Sequence, residues 1–98
     1  MKPSLSRVKD KISENKSVLR DSYNVSNIGV FGSVARTDAT EKSDIDVLVE
    51  FSEPIGLFKF VELQDFLTKI LDRKVDLVTK KALKPIIKDE ILREVVYV

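Results

Sequence analysis

Apolar residues recur at Leu5, Val8, Ile12, Leu19 and Tyr23 among charged neighbours, a helical spacing whose stripe is interrupted at Lys16. Ser4 to about Tyr23 therefore reads as one amphipathic helix, with Ser4 or Ser6 as its N-cap. Asn24 to Asn27 is polar and reads as a turn. Ile28 to Phe31 is a short unbroken apolar run, as a buried strand would be, and it stops at Gly32. Residues 33–36 read as a helical turn capped by Ser33, and Thr37 to Lys42 as a loop. A second strand is expected from Asp44 to Phe51, apolar or β-branched after its two aspartates. Ser52 to Gly56 holds both breakers and must turn.

Leu57 to Asp72 places Leu57, Val61, Leu67 and Leu71 near one helical face, which Phe58, Phe60 and Ile70 widen. Phe58, Phe60 and Phe66 suggest a base-stacking platform, but at this spacing they are read as core. Lys74 to Thr79 is a third strand, its apolar run broken by Asp76. Pro85 suits the first turn of a closing helix that runs to about Glu94 and offers Ile86, Ile87, Ile91 and Leu92 to the core. Val95 to Val98 reads as a short terminal strand, whether sheet edge, core strand or interface. The expected architecture is α+β in two layers, a small mixed sheet with helices packed on it. With 98 residues it is expected to be one domain spanning 1–98.

Composition narrows the chemistry. Acidic and basic residues nearly cancel at a formal net charge of +1, which argues against a general nucleic-acid binder. Lys80, Lys81 and Lys84 form a small basic cluster, read as a solvated loop. There is no cysteine and no histidine, so thiolate sites, imidazole-ligated zinc and a serine–histidine triad are all excluded. Carboxylates, lysine, arginine, tyrosine and hydroxyls remain for catalysis. No apolar run approaches the roughly 20 residues of a membrane span, and no signal-like segment is evident, so a cytoplasmic protein is expected.

Within this inventory Asp44 and Asp46 stand out. Residues two apart on a strand share a face, so the two carboxylates would stand side by side, opposite Ile45, Val47 and Val49. Carboxylates aimed at one point repel unless a cation lies between them, and a hard ion such as magnesium takes oxygen ligands. Gly32-Ser33 lies where a strand turns into a helix, and backbone N–H groups with a hydroxyl can hold an anion there. Asp76 can join the same side if the third strand lies beside the second. Glu50 shares strand parity with Asp46 but lies about 14 Å further along, and is read as structural.

Gly32-Ser33, ten intervening residues and Asp44-x-Asp46 together resemble the signature of the DNA polymerase β-like nucleotidyltransferase superfamily. Gly32-Ser33-Val34-Ala35-Arg36 and Ser43-Asp44-Ile45-Asp46-Val47-Leu48-Val49 look like its smallest branch, the minimal nucleotidyltransferase (MNT) domains, often antitoxins of HEPN toxins. The resemblance runs from about Ile28 to the C-terminus. It implies a polymerase β-like core in which Asp44, Asp46 and Asp76 bind two magnesium ions and Asp76 accepts the proton of an attacking hydroxyl. Gly32, Ser33 and Arg36 would hold the triphosphate of ATP. The implied reaction moves AMP onto a hydroxyl, a tyrosine of a cognate HEPN toxin. A non-catalytic module that masks its partner, and transfer to an RNA 3′ end or a small molecule, are the alternatives.

Overall fold

The computed structural model describes residues 2–98. In chain order the elements are α1 (Leu5–Glu14), α2 (Lys16–Tyr23), β1 (Val25–Phe31), α3 (Gly32–Arg36) and β2 (Ile45–Phe51). They continue with α4 (Leu57–Leu71), β3 (Val75–Thr79), a 3-10 turn at Lys80–Ala82, α5 (Pro85–Glu94) and β4 (Val96–Tyr97). The strands form one mixed sheet in the order β3-β2-β1-β4. β1 runs antiparallel to both β2 and β4, while β2 and β3 are parallel and joined through α4. The fold is thus the expected α+β arrangement.

Strand alternation divides the sheet into two chemically different faces. Ile28 and Val30 of β1, Ile45, Val47 and Val49 of β2, and Val75 and Leu77 of β3 enter the main core. There they meet Val8 and Ile12 of α1, Leu19 and Tyr23 of α2, and Leu63 and Leu67 of α4. The opposite face holds a smaller cluster of Phe31, Leu48 and Leu83, against which Ile91 and Leu92 of α5 and Val95 pack. By parity that second face also carries Asp46 and Asp76. One set of helices therefore supplies the core, while α5 shares its face with the aspartates. Gly29 lets β4 approach, since a Cβ there would lie 2.7 Å from Val95 Cγ2.

Several local expectations are corrected. The first helix is two helices, parted at Asn15, whose N–H donates to Ile12 O and whose side-chain amide donates to Lys11 O at 2.8 Å. This break lets Val8 and Ile12 of one segment and Leu19 and Tyr23 of the next all reach the core. Ser4 does cap α1, accepting from the Arg7 N–H at 3.3 Å. The polar turn shrinks to Asn24, which is left-handed at φ 56°, because Val25 is buried and already pairs with Phe51. Ser33 is not the cap of α3, which begins at Gly32 with no side-chain cap. On α4 the buried residues are Leu63 and Leu67, whereas Leu57 and Phe58 are 75% and 92% exposed and Val61 is also exposed. The stripe is rotated from the expected one because the sheet contacts the Leu63–Leu67 side. Phe60 and Phe66 do pack on the core, while Phe58 does not. Ile86 and Ile87 are likewise exposed, since α5 turns Ile91 and Leu92 to the sheet.

Candidate active site

The site is assembled where β1 stops and β2 starts. Phe31 pairs with Asp46 across the antiparallel ladder, so Gly32 follows immediately beyond that carboxylate. Gly32 adopts φ +72°, and a Cβ built on it would collide with Asp46 Oδ2. Only glycine allows both the left-handed backbone and the close approach. The chain then winds through the single short helix α3 and leaves it at Thr37, also left-handed.

Asp46 and Asp76 are direct register partners on the parallel strands β2 and β3. Neighbouring strands lie about 4.8 Å apart, which sets the two carboxylates on one face. Asp44 precedes β2 by one residue and ion-pairs with Lys74 at 3.7 Å. Its approach is fixed from two sides. Arg73 donates to the backbone oxygens of Glu41 at 2.7 Å and Ser43 at 3.0 Å, and the Ile45 N–H donates to Lys74 O. The loop that carries Asp44 is thus tied to the entry of β3, the strand that carries Asp76.

Like charges accumulate here. Partial burial, followed by the charges of Asp76 and Asp44, raises the Asp46 pKa above the usual aspartate value, and Glu94 adds to this while Arg36 opposes it. Glu94 is the residue that sequence reasoning missed. From the last position of α5, its carboxylate accepts the Gly32 N–H at 2.8 Å and pairs with Arg36 Nη1 at 3.2 Å. Arg36 also contacts Asp38 at 3.3 Å, and these partners, Glu94 first, hold its guanidinium more firmly charged. A sequence signal did exist: a carboxylate at a helix C-terminus opposes the helix dipole and needs a donor elsewhere.

The structure brings Gly32, Asp46 and Asp76 together, with Asp44 one residue before β2 and Arg36 reaching back through Glu94. Ser33 is half-buried directly after Gly32, at the start of the helical turn. Glu50 lies apart, accepting from Asn27 Nδ2 and pairing with Lys80 at 3.8 Å, as its structural reading expects. Among the described residues, no three carboxylates close around one point as a finished chelate. The chemistry of the donor set nevertheless fits a hard cation. Asp44, Asp46 and Asp76 offer only oxygen ligands, and a bound cation would offset both the burial and the neighbouring charges that raise Asp46. No helix among the described residues is long and apolar enough to cross a membrane.

A left-handed glycine turn thus lies beside paired aspartates on adjacent parallel strands. The nucleotidyltransferase domain family matches residues 6–98, and the chain belongs to that family. It is 46% identical over 94 residues to the protein adenylyltransferase MntA of Thermococcus cleftensis, covering 96% of this chain and 95% of that protein. A solved structure described as a candidate minimal nucleotidyltransferase superposes with a TM-score of 0.81 at 32% identity, covering 95% of this chain and 94% of the other. A toxin–antitoxin structure with AMP-PNP gives a TM-score of 0.74 at 26% identity, covering 91% of this chain and 70% of that one. Within the family, the chain is an enzyme of the minimal nucleotidyltransferase kind.

Proposed function

We propose that this chain transfers AMP from ATP to a hydroxyl of a partner protein, a tyrosine of a cognate HEPN toxin, and so acts as its antitoxin. The observation that carries the reading is the register pairing of Asp46 with Asp76 beside the Gly32 turn. It places carboxylates next to a loop whose N–H and following hydroxyl suit phosphate oxygens. The similarity to MntA and to a toxin–antitoxin complex holding AMP-PNP supports the adenylyl donor and the protein acceptor.

In the proposed reaction, the acceptor hydroxyl oxygen forms a bond to the α-phosphorus of ATP. The bond from that phosphorus to the bridging oxygen breaks, and pyrophosphate leaves with the electron pair. Asp76 takes the hydroxyl proton, a carboxylate being the available base in a chain without histidine. Gly32, Ser33 and Arg36 orient the triphosphate. Asp44, Asp46 and Asp76 would hold magnesium, two ions in this reading, which when bound neutralise charge on the attacking and leaving oxygens. An AMP group on the toxin adds bulk and negative charge and silences it.

Masking without transfer is favoured by one observation, the exposure of Leu57 and Phe58 on α4 and of Ile86 on α5, which offers apolar surface to a partner. Transfer from ATP labelled at the α-phosphate separates the readings. Label is expected on the partner with magnesium, and none with EDTA or with Asp44→Asn plus Asp46→Asn. A double variant that still protects cells as well as the wild type would support masking instead.

A further inference from the structure

Glu94 occupies two of the three residues that the nucleotide reading assigns to phosphate, Gly32 and Arg36. Its carboxylate takes the Gly32 N–H at 2.8 Å, and both of its oxygens contact Arg36 Nη1, at 3.3 and 3.2 Å. A carboxylate held by a backbone N–H and a guanidinium is bound as a phosphate oxygen would be. Three features suit it to being displaced. Its side chain is 21% exposed, so solvent reaches the pair. It ends a helix that contributes no buried residue and rests on the sheet through the small Phe31–Leu48–Leu83 cluster. It also adds an acidic group to Asp44, Asp46 and Asp76, a crowding that its departure would ease.

We propose that Glu94 is a specificity residue of the nucleotide site, an internal anion that holds Gly32 and Arg36 until a polyphosphate tail replaces it. The inference rests on the nucleotide-site reading for those two residues. A singly phosphorylated ligand must compete with a carboxylate already in place, whereas a triphosphate brings several charges and reaches past Gly32 at the same time. Glu94 would thereby favour ATP over AMP, and oppose rebinding of the transferred group.

The test titrates the isotopically labelled full chain with inorganic tripolyphosphate, and separately with AMP, at constant ionic strength. The Gly32 amide resonance reports occupancy. Glu94→Gln keeps an acceptor for the Gly32 N–H but loses the charge. It is expected to bind tripolyphosphate about tenfold tighter than wild type, the size of one like-charge contact at a partly buried position. AMP should gain proportionally more, narrowing the preference between the two ligands. Glu94→Asp, one methylene too short to hold both groups, should also bind tighter, and it serves if the glutamine variant does not fold. Glu90→Gln removes an equal charge from an exposed position on the same helix and should stay within about twofold of wild type. Unchanged or weaker binding by the folded Glu94 variants would overturn the inference, as would a Gly32 amide unmoved in every protein. If the affinity contrast holds while the wild type transfers no AMP, the proposed function fails and the role of Glu94 stands. If transfer occurs without the contrast, the role of Glu94 alone fails.

Discussion

At the scale of single residues, Gly32 and Asp46 are locked together. Gly32→Ala must relax a left-handed backbone and a collision with the Asp46 carboxylate, so unfolding measurements should show a loss of about 2 kcal/mol or more. Asp46 carries the opposite kind of cost. Its folded pKa is raised, so its ionised form is disfavoured by folding, and the stability present when it is protonated is lost as pH rises through the folded value. Without divalent cations, Asp46→Asn should therefore unfold at a higher temperature than wild type at neutral pH. The gap should close below the ordinary aspartate range, where protonated Asp46 resembles asparagine. A variant less stable than wild type at neutral pH would contradict this. The face of Asp46 was legible because strand parity is a two-residue rule that needs no tertiary information, whereas Asp44 lies one residue before β2. Glu94 was legible only as an acid misplaced at a helix end, and not by its partner, since it meets Gly32 from 62 positions away and only the packing of α5 brings it there.

Among the elements, the strands were read almost to the residue where apolar runs were long, as in β2 and β3. The misses have local causes. Asn15 ends one helix and starts the next without a proline or glycine to mark it, and Asn24 completes in one residue a turn that seemed to need four. On α4 the apolar residues between Leu57 and Leu71 spread around much of the helix, so periodicity chose the face poorly and the sheet's position decided it. The chosen face is testable. Leu67→Ala removes a side chain with no exposed surface and should cost about 2–5 kcal/mol by denaturant unfolding. Phe58→Ser, at 92% exposure on the same helix, should change stability by no more than about 0.5 kcal/mol.

For the molecule as a whole, the sheet separates stability from chemistry. One face buries the main core under α1, α2 and α4, while the other carries the aspartates beside α5. Under the proposed function, changes to the carboxylates are expected to abolish transfer without dismantling the fold, which makes substitution of the site informative. With a net charge of +1 and apolar residues exposed on α4 and α5, the surface suits a protein partner better than a polyanion. The most direct test of the proposed function is the intact mass of the proposed partner toxin after incubation with ATP, magnesium and either wild type or Asp76→Asn. Wild type should add whole AMP units to the partner, and the variant should do so at least about a hundredfold more slowly, as loss of a general base requires. Equal modification by both proteins, or an unmodified partner in a stable complex with the wild type, would contradict the account.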